Sequence, residues 1–132
     1  MVIIKRKLNI AQKSWPHFSA EELSCQCCGV HWMDDEFMEL FEALRIIYAK
    51  PMIVTSAYRC PKHNSKVSIT GEDGPHTTGR AIDISVNREN AVRVLNAALF
   101  LGFTGIGINQ KGSSRFIHLD NLEANRPTIW SY

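Results

Sequence analysis

Long apolar runs are missing from this sequence. Its longest uncharged apolar stretch, residues 97–107, falls far short of the about 20 apolar residues that a membrane-spanning helix needs. Charge of one sign is missing too. Fifteen Lys and Arg against 13 Asp and Glu leave +2, and the basic residues are scattered except at Lys5-Arg6-Lys7. A phosphate backbone therefore has no patch to rest on, and nucleic acid is not an expected partner. The first residues, Met1-Val2-Ile3-Ile4-Lys5-Arg6-Lys7, put the apolar residues before the charges, the reverse of a secretory signal, so the chain is expected to be made in the cytoplasm without an export signal. Cysteine is sparse: four in 132 residues is below the density of a disulfide scaffold, and a chain of this size can bury a core without staples. No repeat or low-complexity tract interrupts it.

What is present fits one globular domain over residues 1–132, close to the usual domain size of about 150 residues, with 45% hydrophobic and 21% charged residues. A monomer is expected. Ser19-Ala20-Glu21-Glu22 has the Ser-x-x-Glu spacing of a capping box and starts a short helix, which Cys25-Gln26-Cys27-Cys28-Gly29 soon interrupts. Asp34 and Asp35 precede an apolar stripe of Phe37, Leu40, Phe41, Leu44, Ile47 and Tyr48, a longer helix that ends before Pro51. Met52-Ile53-Val54-Thr55-Ser56 reads as a strand, and residues 57–80 as a long polar loop of the kind a compact domain keeps for function. Ala81-Ile82-Asp83-Ile84-Ser85-Val86 alternates as a strand. Asn87 can cap a helix carrying Val92, Leu95, Ala98 and Leu99, stopped by Gly102. Strands over residues 105–108 and 115–120 close the domain. The order ααβ(loop)βαββ predicts an α+β fold with a mainly antiparallel sheet and helices packed on one side.

Strand alternation gives the sharpest chemical clue. Ile82, Ile84 and Val86 share one face, which leaves Asp83 on the other; Ile117 and Leu119 likewise leave His118 and Asp120 on the opposite face. His76 stands seven residues before Asp83, with Gly79 between them to let the chain turn. Two imidazoles and one carboxylate with an open fourth position are the donor set of a catalytic zinc, although a lone loop histidine or a strand aspartate has ordinary surface explanations.

Three motifs in order carry a family resemblance. Pro75-His76-Thr77-Thr78-Gly79-Arg80-Ala81-Ile82-Asp83-Ile84 resembles the His-x-x-Gly-x-Ala-x-Asp signature of the D-alanyl-D-alanine carboxypeptidase family of zinc peptidases, which includes phage endolysins. Ser56-Ala57-Tyr58-Arg59-Cys60-Pro61-Lys62-His63-Asn64 resembles its Ser-Gly-Tyr-Arg segment with the following His-Asn. Phe116-Ile117-His118-Leu119-Asp120 resembles its terminal His-x-Asp strand, and Gly102-Phe103-Thr104-Gly105-Ile106-Gly107 the approach to it. The likeness runs from about Phe18 to the Trp130-Ser131-Tyr132 ending. It implies the hedgehog-like peptidase fold, a Zn2+ cofactor held by His76, Asp83 and His118, and Arg59 as the substrate-binding arginine. It also implies hydrolysis of a peptide bond in bacterial peptidoglycan stem peptides, as a carboxypeptidase or an endolysin-type endopeptidase reaching the cell wall after release or phage delivery.

One departure stands out. Some members keep an acidic general base three residues before the last zinc histidine, where this chain has Arg115, and others a histidine two before it, where this chain has Phe116. Asp120 is the nearest acid on the face of His118 and is the candidate base, with orientation of an imidazole as its alternative role; His31 and Glu72 are further candidates. Without an assigned base, a non-catalytic zinc-binding module on the same fold is the rival. Ser56 and His63 are candidate supports of the site. The cysteines leave several options open: free thiols, a bridge from the Cys25–Cys28 group to Cys60, a zinc knuckle completed by Cys60 and one more ligand, or a Cys60–His63 nucleophile pair.

Overall fold

A computed structural model of the chain describes residues 14–132; the Lys5-Arg6-Lys7 cluster lies outside them. The capping box forms as its spacing predicts. Ser19 Oγ accepts from Glu22 N at 3.1 Å, Ser19 N donates to Glu22 Oε1 at 2.8 Å, and helix α1 runs Ala20–Leu23. Helix α2, Asp35–Tyr48, starts where the Asp34 carboxylate accepts from Phe37 N at 2.9 Å. It buries Phe37, Met38, Phe41 and Leu44, whereas Ile47 of the expected stripe is half exposed.

Five strands follow: β1 Ile53–Ser56, β2 Ala81–Ser85, β3 Gly105–Asn109, β4 Phe116–Asp120 and β5 Thr128–Ser131, arranged in the order β1-β2-β4-β3-β5. The pairs β1–β2, β2–β4 and β4–β3 are antiparallel, but β3–β5 is parallel. The sheet is therefore mixed, not mainly antiparallel. The difference comes from β5, a four-residue edge strand whose only two core-type residues, Ile129 and Trp130, make too short a pattern to announce it.

The polar segment after β1 is also more ordered than a loop. It contains helix α3, Pro61–Val67, which has the Cys60 sulfur at its N-cap and Pro61 in its first turn, and a 3-10 turn, Pro75–Thr78. Pro61 reads as a loop residue in sequence, yet its fixed φ and missing N–H suit the first helical position. Helix α4, Arg88–Leu101, buries Ala91, Val94, Ala97 and Ala98 and leaves Val92 and Leu99 exposed, so its inner face is rotated from the expected one. Its alanines permit close packing against α2, and closeness outweighs side-chain size. Asn87 occupies the N-cap without a side-chain bond to the helix.

The core lies between the two long helices and one face of the sheet. Ile82, Leu119 and Ile106 are cross-strand partners on that face, and Ile84 opposite Ile117 adds a second row. Phe37 joins them to α2, edge-on to Phe103 with ring centroids 5.9 Å apart. The same register fixes the other face. Ser56, Asp83, His118, Gly107 and Trp130 form one transverse row, and Ala81, Asp120, Gly105 and Thr128 the next.

The two glycines of β3 make room on that face. A Cβ on Gly105 would collide with the Asp120 carboxylate, and one on Gly107 would sit 2.6 Å from the Trp130 indole nitrogen. Gly105→Ala should therefore destabilise the protein by about 1–3 kcal/mol through overpacking. Urea unfolding measures this, and unchanged stability would show that Asp120 does not need the glycine.

Candidate metal centre and its cavity

His76, Asp83 and His118 reach one point from three elements. The 3-10 turn carries His76, and Gly79 ends it with φ +74°, a left-handed conformation that also brings its backbone where a Cβ would lie 2.6 Å from Trp32 O. The chain then enters β2 and presents Asp83 opposite His118 of β4. Asp83 Oδ1 lies 3.2 Å from His76 Nε2 and 3.1 Å from His118 Nδ1. Two donors about 2.0–2.1 Å from a tetrahedral zinc stand about 3.3 Å apart, so these two sides have the length zinc requires, and all three donor atoms lie within 4.8 Å of one another. All three residues are buried.

Each imidazole is oriented from behind. His76 Nδ1 donates to Ala57 O at 2.7 Å, which leaves Nε2 facing Asp83. His118 Nε2 donates to Asp120 Oδ2 at 2.8 Å, which leaves Nδ1 facing Asp83. Asp120 has no solvent exposure and is gripped by Arg126, whose Nε and Nη2 donate to its two oxygens at 2.9 and 2.8 Å. Leu122 N adds a fourth donor at 3.3 Å. Ligand, orienting carboxylate and its own partner thus form a chain of the kind that fixes the tautomer of a metal-binding histidine.

Arg59 comes in from the other side. Its Nε donates to Ser56 Oγ and its Nη1 to Asn64 Oδ1, both at 3.0 Å, and its Nη2 lies 3.6 Å from Asp83 Oδ2. Asn64, itself buried, also donates to Thr70 Oγ1 and Gly71 O, tying the polar loop to the arginine. Ser56 holds Arg59 through its hydroxyl, whereas the backbone N–H of His63 donates to Cys60 Sγ. The cluster opens into a cavity of about 750 Å³ whose walls include Arg126, Trp130 and Tyr132. Trp130 stands 5.1 Å from His118 between ring centroids, with the Arg126 guanidinium over its ring. Neither His31 nor Glu72 lines this cavity: His31 Nε2 is buried elsewhere without a hydrogen-bond partner among the described residues, and Glu72 is exposed.

A family model for Peptidase M15 matches residues 16–120. The chain belongs to the Peptidase M15 family. Peptidases of the M15 family are zinc-dependent, and the donor triangle of this member fits that ion. No curated protein matches the chain. Sequence reasoning alone missed Asn64 and Arg126 as positioning groups. Asn64 was visible within the His-Asn pair, but its partners Thr70 and Gly71 come from a loop with no periodic signal.

The electrostatics follow from the partners. Burial pushes the Asp83 carboxyl up, but the two imidazoles outweigh it and hold the group well below the usual carboxylate range. Burial opposes charge on His118, yet Asp120 and Asp83 together raise its proton affinity above that of an ordinary histidine. In the metal-free site the stability contributed by that proton is full below the ordinary pKa of about 6.5 and declines as pH rises through the raised value. A metal ion must displace the same proton. Zinc affinity should accordingly fall as pH falls, with the onset above about 6.5, and competition against a chelator across pH 8 to 5.5 reads it. An affinity that does not change over this range would contradict protonation of a ligand.

Proposed function

We propose that this M15 peptidase hydrolyses a peptide bond in bacterial peptidoglycan stem peptides, as a D,D-carboxypeptidase or an endolysin-type endopeptidase acting at the cell wall. The observation that carries the reading is the convergence of the His76–Asp83–His118 triangle and Arg59 on one cavity large enough for a short peptide. Zinc held by the triangle would supply a Lewis acid that polarises a carbonyl and lowers the pKa of water to about 7. The chain's own residues do the rest. His76 and His118 are held in the tautomers that turn a lone pair toward Asp83 Oδ1. Arg59, immobilised by Ser56 and Asn64, directs its planar fork at a peptide carboxylate or at the oxygen on which negative charge develops.

For Asp120 the geometry favours the orienting role over that of general base. Both of its oxygens are engaged by Arg126, His118 and Leu122, and the pull of His118 and Arg126 outweighs burial to hold its carboxyl well below the usual range, which makes it a poor proton acceptor near neutrality. Asp120→Asn should then weaken zinc binding by about 10- to 100-fold. Full zinc with turnover reduced by a hundredfold or more would return Asp120 to the role of base.

No other carboxylate besides Asp83 lines the cavity among the described residues, and this supports a second reading, a zinc-binding module without activity. Zinc-loaded protein incubated with purified peptidoglycan separates the two. Release of new amino groups, with mass analysis of the fragments, selects the enzyme and tells a terminal D-alanine from an internal cut; full zinc without release selects the module. In the active protein Arg59→Lys should fold and retain zinc yet lose about a hundredfold in rate, about 3 kcal/mol, because a point charge does not replace the fork. Wild-type turnover in this variant would confine Arg59 to structure.

A further inference from the structure

The four cysteines, which the peptidase chemistry leaves unused, gather in one place. Cys25, Cys27 and Cys28 follow α1, and Cys60 joins them from the N-cap of α3; their sulfurs all lie within 4.8 Å of one another. The Cys27 and Cys60 sulfurs are 3.6 Å apart. Zinc–sulfur bonds of about 2.3 Å at tetrahedral angles put sulfurs about 3.8 Å apart, so the cluster needs to contract by about 1 Å at most to close on one ion.

Backbone N–H groups are aimed at three of the four sulfurs. Cys60 N donates to Cys25 Sγ at 3.3 Å, and the N–H groups of Cys27 and Cys28 act on the same sulfur. His63 N donates to Cys60 Sγ at 3.4 Å, and Val30 N serves Cys28. A tight turn places these donors, with Gly29 N bonded to Cys25 O at 2.7 Å and Cys25 N to Val30 O at 2.8 Å. The fourth ligand that the sequence pattern lacked is Cys27, which lies between the two residues of the Cys-x-x-Cys pair.

We infer that Cys25, Cys27, Cys28 and Cys60 bind a second, structural zinc ion that clamps the segment after α1 to the Arg59-bearing loop. Four thiolate ligands close the coordination shell, so this ion has no open position for substrate, unlike the three-ligand site in the cavity. Binding releases the thiol protons to solvent, and no oxidant or reductant is involved. The clamp is also placed to matter: Cys60 follows Arg59, whose N–H donates to His76 O at 3.1 Å, and Tyr58 N donates to Leu23 O at 3.3 Å.

The test reads metal, independently of peptidase activity. Protein purified without chelator should carry two zinc ions per chain. His76→Ala/His118→Ala should keep one, and Cys27→Ser/Cys60→Ser should keep one and unfold at a lower temperature. Should the cysteine variant fail to fold, Co2+ loaded into the His76→Ala/His118→Ala protein gives the same answer, since four thiolates produce intense charge-transfer absorption and tetrahedral ligand-field bands. Absence of those bands, four freely reactive thiols in the untreated protein, or a mass lower by two hydrogens from a disulfide would each overturn the assignment. Because the histidine variant has no cavity site, the result stands whether or not the protein cleaves peptidoglycan.

Discussion

The pairing of Asp83 with His118 across β2 and β4 is the constraint on which the rest of the site depends. Neither residue chooses its own position. Ile82 opposite Leu119 and Ile84 opposite Ile117 set the register by burying their side chains under α2 and α4, and a period of two then delivers the carboxylate and the imidazole to the other face. A slip of one residue in either strand would turn that strand's donor into the core. Apolar packing thus determines a polar geometry, and the 3.1 Å between Asp83 Oδ1 and His118 Nδ1 is its outcome.

Burying that geometry creates an electrostatic problem, which the chain solves by pairing. His76, Asp83, His118 and Asp120 are all buried, and a lone carboxylate there would protonate before it would stay charged. Asp83 is held by two imidazoles with Arg59 nearby, and Asp120 by the fork of Arg126 and by His118. Arg126 is in turn fixed over the Trp130 ring, which the bare backbone of Gly107 admits. The second row of the sheet is accordingly a support for the first, with Gly105 leaving space for the carboxylate that aims His118.

How much of this could be read in the sequence depended on whether a feature was local. The capping box of Ser19 and Glu22, the stripe of Phe37, Phe41 and Leu44, and the alternation around Asp83 and His118 repeat within a few residues, so the same-face placement of Asp83 and His118 was legible. Features set by distant partners were not. The parallel edge strand at Thr128–Ser131 exists because β3 offers an edge, and the inner face of α4, which buries Ala91, Val94, Ala97 and Ala98, is decided by its packing against α2. Asp120 was a candidate for general base or for orienting an imidazole because a strand puts it on the face of His118; the grip of Arg126, six residues further on, on both of its oxygens was not legible.

Residues 57–60 connect the separate parts of this design. Ala57 supplies the carbonyl that fixes His76, Tyr58 N bonds back to Leu23 beside the cysteine turn, Arg59 reaches toward Asp83, and Cys60 caps α3 and meets the other sulfurs. A guanidinium on a free loop would lose much of its value to catalysis, because each rotamer it samples away from the developing charge weakens the interaction in the transition state. Ala57 and Tyr58 anchor the start of this segment in the core, whereas the residues that follow, from Pro61 to Gly74, are mostly polar. Beyond that anchor, order comes from directional bonds: Ser56 and Asn64 on the arginine, Ala57 on the histidine, and sulfur contacts at the far end. Core packing of Ala57 and Tyr58 fixes the backbone only up to Arg59, so the polar clamps on both flanks of Arg59 are what makes the long polar loop beyond it compatible with a fixed site.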